Sequence, residues 1–370
     1  MAQVIHLHIG LPKTGTSFVQ ETLRANRRLL RESEHIRVPF HTHRRLYGVA
    51  LMAGRGFDPE ATPEWAQTHW QDFVDRVRRW DGDLVASHEA LSMLGPGRVG
   101  MLVDRITELG KTVRVVMTVR DLARQIPSFW QQQVKAGGTE SFPDFLDRIR
   151  TDRSVRFWQQ CDAARVAQSW SEHVGADNLT VITVPSRSTP SDTLWDRFAP
   201  AIGIDPLAVP PPEVPRVNAS LGVVDIELVR RMNLIVSERG ELSLDATPHH
   251  HGRRAAIGRR VTSGGDRSEA PTYPAALQPW VVEESSHITE ALAALGCSVV
   301  GSLDELMPGS EPPPGRDPGT VTDDEIARRA PEVLHDVWLS YEETVLRLHD
   351  RLRAAQPGAD LASPDEEWDT

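Results

Sequence analysis

Apolar residues in this chain follow two rhythms. The first is a set of short, β-branched runs: Val4-Ile5-His6-Leu7-His8-Ile9, Ile36-Arg37-Val38-Pro39, Leu84-Val85-Ala86-Ser87, Val113 to Val119 and Leu179 to Val184. Each run stops at turn chemistry, so each predicts a buried strand. The second rhythm fills the gaps with helical spacing. It runs through Phe18, Val19, Thr22, Leu23 and Leu30, then Phe73, Val74, Val77 and Trp80, then Val99, Leu102, Val103, Ile106 and Leu109. Gly110 supplies a stop signal before the next strand. Alternating β and α units predict an α/β fold: a parallel five-stranded sheet flanked by helices.

The rhythm changes after Val184. Pro206, Pro210, Pro211, Pro212 and Pro215 exclude a regular helix there. Helical spacing returns at Val223, Ile226, Val229, Met232 and Ile235, and again over about Asp324 to Ala355. A Pro- and Gly-rich loop precedes the last helix. The expected organisation is one domain over 1–355, with an α/β core over 1–200 and a mostly helical C-terminal portion over 216–355. Residues 356–370 read as a disordered acidic tail. There is no internal repeat.

Composition narrows the class. The chain has 370 residues, 41 basic against 52 acidic side chains and a net charge of −11. That balance argues against a nucleic-acid partner, so any anion site is made locally. Cys161 and Cys297 form no disulfide framework. No apolar run approaches membrane-spanning length, and the first strand leaves no room for a secretory signal. A cytoplasmic location is expected by default. Oligomeric state is not legible.

The chemistry begins where the first strand ends. Gly10-Leu11-Pro12-Lys13-Thr14-Gly15-Thr16-Ser17 joins a strand to a helix. In such a loop successive N–H groups and a helix N-terminus face an anion. A Walker A loop places Lys directly after its second Gly. Here Thr16 stands at that position and the lysine comes earlier, at Lys13. That displacement disfavours hydrolysis of ATP or GTP. A plain strand-to-helix turn would not need Gly, Lys, Gly and paired hydroxyls together.

A second site follows the fourth strand. Arg120 falls at its carboxyl end, where open α/β sheets bind ligands, and Ser128 lies eight residues on in a helix. Taken alone, Arg120 reads as a strand-end residue and Ser128 as a helix residue bonding its own backbone. Taken with the loop, they resemble a family. Pro12-Lys13-Thr14-Gly15-Thr16-Ser17 resembles the 5′-phosphosulfate loop of sulfotransferases that use 3′-phosphoadenosine 5′-phosphosulfate (PAPS). Arg120 with Ser128 resembles the 3′-phosphate site of that family. The wider pattern is similar to a bacterial branch, through Ser87-His88-Glu89-Ala90-Leu91-Ser92, Thr118 to Gln125 and Val217-Asn218-Ala219-Ser220-Leu221. It covers roughly Met1 to Asn233.

The resemblance implies a P-loop-type fold and transfer of a sulfuryl group from PAPS to a hydroxyl, less readily an amino group, of a carbohydrate, lipid or small metabolite. The loop amides from Lys13 to Ser17 would hold the 5′-phosphate. Lys13 would stabilise the leaving oxygen. Either Glu89 or His88 would be the general base, with Glu89 ahead of His88, because side chains alternate along a strand and one of the two faces the donor. No metal is expected, and His249-His250-His251 read as solvated residues. His6 and His8 read as packed beneath the loop. Phe129, Trp130, Phe142, Phe145, Phe157 and Trp158 read as core, with Trp130 or Trp158 as candidates for an acceptor wall. Arg253, Arg254, Arg259 and Arg260 form a basic loop that would cover the 3′-phosphate or stay solvated. The alternatives are an ATP-dependent small-molecule kinase and a non-catalytic protein that binds PAP, the desulfated product.

Overall fold

The computed structural model describes residues 3–40, 42–185, 193–212, 221–239 and 269–355. The Val217–Ser220 segment, the His249–His251 run, the Arg253–Arg260 cluster and the acidic tail lie outside the described residues.

The chain divides into two compact units. The first comprises Met1–Phe129, Asp147–Val217 and Pro274–Pro313. The second comprises Trp130–Leu146, Asn218–Tyr273 and Pro314–Thr370.

The first unit is built on a parallel sheet of six strands in the order β2-β3-β1-β4-β5-β6. They are β1 Val4–His8, β2 Ile36–Arg37, β3 Asp83–Ser87, β4 Thr112–Val119, β5 Leu179–Thr183 and β6 Ser298–Val300. Five occupy the apolar runs read from the sequence; β6 is a sixth beyond them. Residues of β1 pair with both β3 and β4, so β1 is central. Its Ile5 is fully buried, as a two-sided strand in a parallel sheet requires.

Helices α1 Thr16–Ala25 and α2 Arg27–Ser33 follow β1. Helices α3 His43–Gly54 and α4 Glu64–Arg78 separate β2 from β3, and α5 Pro96–Thr107 separates β3 from β4. Next come α6 Leu122–Lys135, α7 Phe142–Thr151, α8 Arg156–Cys161, α9 Ala163–Val174 and α10 Leu194–Ala201. α1 and α10 pack on one side of the sheet, and α5 and α9 pack together against β4. One buried cluster joins Val19 and Leu23 of α1, Val85 of β3, Val116 of β4, Ile182 of β5, and Trp195 and Phe198 of α10. A fully buried aliphatic or aromatic side chain contributes about 1.5–3 kcal/mol, so this cluster anchors the helix behind the anion loop. Helix α12 Gln278–Ala294 precedes β6.

The second unit holds α11 Val223–Glu238 and the long α13 Asp323–Ala355. Asp225 of α11 is almost fully buried and receives the Arg329 guanidinium of α13 at 2.7 Å. Asn233 donates to the carbonyls of Val134 and Gly138 at 2.8 and 2.9 Å. Among the described residues no helix is long and apolar enough to cross a membrane.

Candidate functional site

The loop after β1 is stitched to β4. Thr118 N donates to Gly10 O at 2.6 Å, and Leu11 N donates to Thr118 O at 2.8 Å. Three residues bend it with positive φ: Gly10 at 93°, Lys13 at 66° and Gly15 at 87°. Thr14 is fully buried; its hydroxyl donates to Leu11 O at 2.5 Å and lies 2.6 Å from Thr118 Oγ1. That hydroxyl closes the loop from inside, leaving the Thr14 backbone for other work. Gln125 Nε2 donates to Pro12 O at 2.5 Å.

α1 then begins at Thr16 with Gly15 as its N-cap, and no side chain caps it. Among the described residues the N–H groups of Thr14, Gly15, Thr16 and Ser17 meet no protein acceptor. Consecutive amides on a strongly curved loop at a helix N-terminus form a cradle for an anion. Lys13 is half-buried within that loop. Burial first, and then the charge of Arg120, push its ammonium below the ordinary lysine range, while Glu89 opposes the shift. Charged groups from the ends of three strands therefore act on one another at this spot.

One of those groups starts the turn after β3. His88 N donates to His8 O at 2.9 Å, extending the β1–β3 ladder by one residue. The His88 backbone is extended, and its Nδ1 accepts the Ala90 N–H at 3.0 Å. A neutral ring in that arrangement carries its proton on Nε2, so the Nδ1 lone pair is spent on the turn. The Tyr47 ring lies 5.8 Å from the His88 ring and stacks on Trp65 at 6.2 Å. Glu89 is half-buried at the first position of the 3₁₀ turn Glu89–Met93. Its Oε2 accepts from Gln20 Nε2 of α1 at 3.2 Å. The backbones of Gly10 and Glu89 come so close that a Cβ on Gly10 would sit 3.1 Å from the Glu89 Cβ.

At the end of β4, Arg120 turns Nη2 onto the carbonyl of Arg124 at 2.7 Å. Asp121 caps α6, accepting the Arg124 N–H at 2.9 Å and pairing with the Arg124 side chain. Ser128 is half-buried on α6, so the first turns of that helix join it to Arg120.

Beneath the site lie the two histidines of β1. His8 is fully buried; Nδ1 is 2.7 Å from Ser87 Oγ and Nε2 is 3.2 Å from Thr118 Oγ1. Burial holds its pKa down at about 4 against the raising effect of Glu89. His6 is likewise held at about 4, chiefly by burial. Both are neutral packing residues, as the sequence indicated. Trp130 and Trp158 form no acceptor wall. Both are buried, with indole N–H groups on Glu140 O at 3.0 Å and Ile149 O at 2.6 Å.

The sequence reading missed Gln20, Thr118, Tyr47 and Trp65. Glutamine on an amphipathic helix reads as surface, and Thr118 reads as strand. Only the position of Thr118, two residues before Arg120, was a signal.

No protein-family model matches the chain, and no curated protein does. Among solved structures, one described as a sulfotransferase from Alicyclobacillus acidocaldarius is similar at a TM-score of 0.40 and 15% identity, over 80% of this chain and 96% of that one.

Proposed function

We propose that this chain is a PAPS-dependent sulfotransferase acting on a hydroxyl, less readily an amino, group of a carbohydrate, lipid or small-metabolite acceptor. The observation that carries the reading is the run of open amides from Thr14 to Ser17 around Lys13, which feels both Arg120 and Glu89. A cradle, a cation on its rim, a second cation on one side and a carboxylate on the other match what in-line sulfuryl transfer requires.

The donor, when bound, supplies an activated sulfuryl group on a good leaving phosphate. The remaining work falls to the chain. The amides of Thr14 to Ser17 hold the 5′-phosphate. Lys13 stabilises charge growing on the bridging oxygen as the sulfur–oxygen bond breaks. Arg120 and Ser128 read the 3′-phosphate. Glu89 removes the acceptor proton as the new oxygen–sulfur bond forms. His88 is the weaker candidate for that step because its Nδ1 already accepts the Ala90 N–H. Gln20 orients the Glu89 carboxylate through its 3.2 Å hydrogen bond.

Calorimetry with PAP and with ATP tests the reading first. PAP is expected to bind and ATP to bind at least tenfold more weakly; the reverse order would favour a kinase. Turnover of ³⁵S-labelled PAPS with acceptor mixtures then separates an enzyme from a PAP-binding protein.

A further inference from the structure

The sheet order places four strand ends side by side: Arg37 of β2, Glu89 after β3, the Gly10–Ser17 loop after β1 and Arg120 of β4. The proposed donor site uses the last two. Neighbouring strands lie about 5 Å apart, so Arg37 stands roughly one strand beyond Glu89, on the side away from the loop.

Two depressions open on that side within the first unit. A narrow cleft of about 30 Å³ is lined by Gln20, Ser87, Val38, Phe40 and Leu46, among others. It has room for a hydroxyl-sized group beside the residues that hold Glu89. Val38 also lines a second groove of about 330 Å³, whose other walls are Arg27, Arg28, Arg31, Arg37 and Arg76. Arg76 links the two, because its guanidinium lies over the Phe40 ring at 5.3 Å.

Five guanidiniums in one groove are unexpected in a chain of net charge −11. Glu32 pairs with two of them, Arg28 at 3.3 Å and Arg31 at 3.4 Å. Among the described residues no carboxylate pairs with Arg27, Arg37 or Arg76. Arg37 stacks its guanidinium over Trp80 at 5.6 Å. Burial, with Arg76 and Arg31 close by, lowers its pKa from the ordinary arginine range. Like charges held together in this way oppose folding unless an anion joins them. Arginine forks suit carboxylate, sulfate and phosphate oxygens, which they bind in pairs.

We infer that the acceptor is an acidic hydroxylated molecule: its carboxylate, sulfate or phosphate groups lie on Arg27, Arg31, Arg37 and Arg76, and its reacting hydroxyl enters the cleft beside Glu89. This inference rests on the sulfotransferase reading for the identity of the reaction, while the anion groove stands on its own geometry.

Binding at physiological ionic strength tests the two separately. The probes are an oligogalacturonate (carboxylate), a heparin-derived oligosaccharide (sulfate), inositol hexakisphosphate (phosphate) and neutral maltohexaose, with PAP measured on the same samples. At least one acidic probe is expected to bind, and maltohexaose is not. The exposed double variant Arg27→Gln/Arg31→Gln should weaken that probe about tenfold while leaving PAP affinity unchanged. Arg37→Lys keeps the charge, loses the fork and should also weaken it. Binding of PAP with no acidic probe bound would overturn the groove and spare the transfer reading. Groove-dependent probe binding without PAP binding would do the opposite. Equal loss of PAP and probe in the double variant would give the groove to the nucleotide and overturn the inference. Tighter groove-dependent binding of a single-stranded RNA oligonucleotide would also overturn it.

Discussion

Gln20 ties the helix behind the anion loop to the carboxylate after β3. Its Nε2 donates to Glu89 Oε2 and to Ser87 O, both at 3.2 Å. The residue that follows the cradle by one helical turn therefore sets the orientation of the candidate base. Glu89→Gln keeps the shape and removes the carboxylate, so PAP affinity should survive while transfer falls by about two orders of magnitude or more. Gln20→Leu should lower kcat by a smaller factor, about tenfold, and leave the donor KM unchanged. His88→Asn should cost far less than Glu89→Gln; the reverse ranking in single-turnover assays would transfer the role to His88.

Lys13→Ala removes the cation on the rim of the cradle. It should reduce kcat by a factor on the order of 10² or more. Turnover like that of the parent enzyme, with chemistry rate-limiting, would remove Lys13 from the leaving-group position.

Arg120→Ala should weaken PAP about 10–150-fold, the range for a lost hydrogen bond to a charged group. Adenosine 5′-phosphosulfate lacks the 3′-phosphate, so its binding should barely change. Equal weakening of both ligands in calorimetry would make Arg120 structural, a role its 2.7 Å contact with Arg124 O already allows.

Acid should destabilise the fold through β1. His6 and His8 are held at about 4 when folded, against 6.5 when unfolded. Between those values the unfolded chain binds more protons, so the stabilisation present above pH 6.5 is lost as pH falls toward 4. Each histidine contributes on the order of 3 kcal/mol across that window. Urea midpoints should drop between pH 7 and pH 5, and the drop should shrink in a His8→Asn variant. A flat midpoint over that range would contradict the buried neutral state.

Much of this architecture was legible because buried parallel strands leave an unmistakable mark. β1, β3, β4 and β5 coincide with aliphatic runs to within a residue or two. β2 is shorter than its run, covering Ile36–Arg37 and stopping before Pro39, which has no N–H to donate to a ladder. β6 was not legible: Ser298–Val300 is three residues long, largely exposed and at the sheet edge. The loop and its lysine could be read from residue order alone. The cap made by His88 could not, because it depends on an extended backbone entering a 3₁₀ turn. Nor could the basic groove, whose arginines come from α2, β2 and α4 and meet only after folding.

The approach of Gly10 to Glu89 makes the site sensitive to an atom that is not there. A methyl in place of the Gly10 hydrogen would press on the Glu89 Cβ at 3.1 Å while straining a backbone already at φ 93°. Reaction geometry tolerates displacements of well under an ångström. The clearance between cradle and carboxylate is thus gauged by the smallest side chain in the alphabet, and Gly10→Ala would mis-set that gauge while leaving every charged group of the site in the sequence.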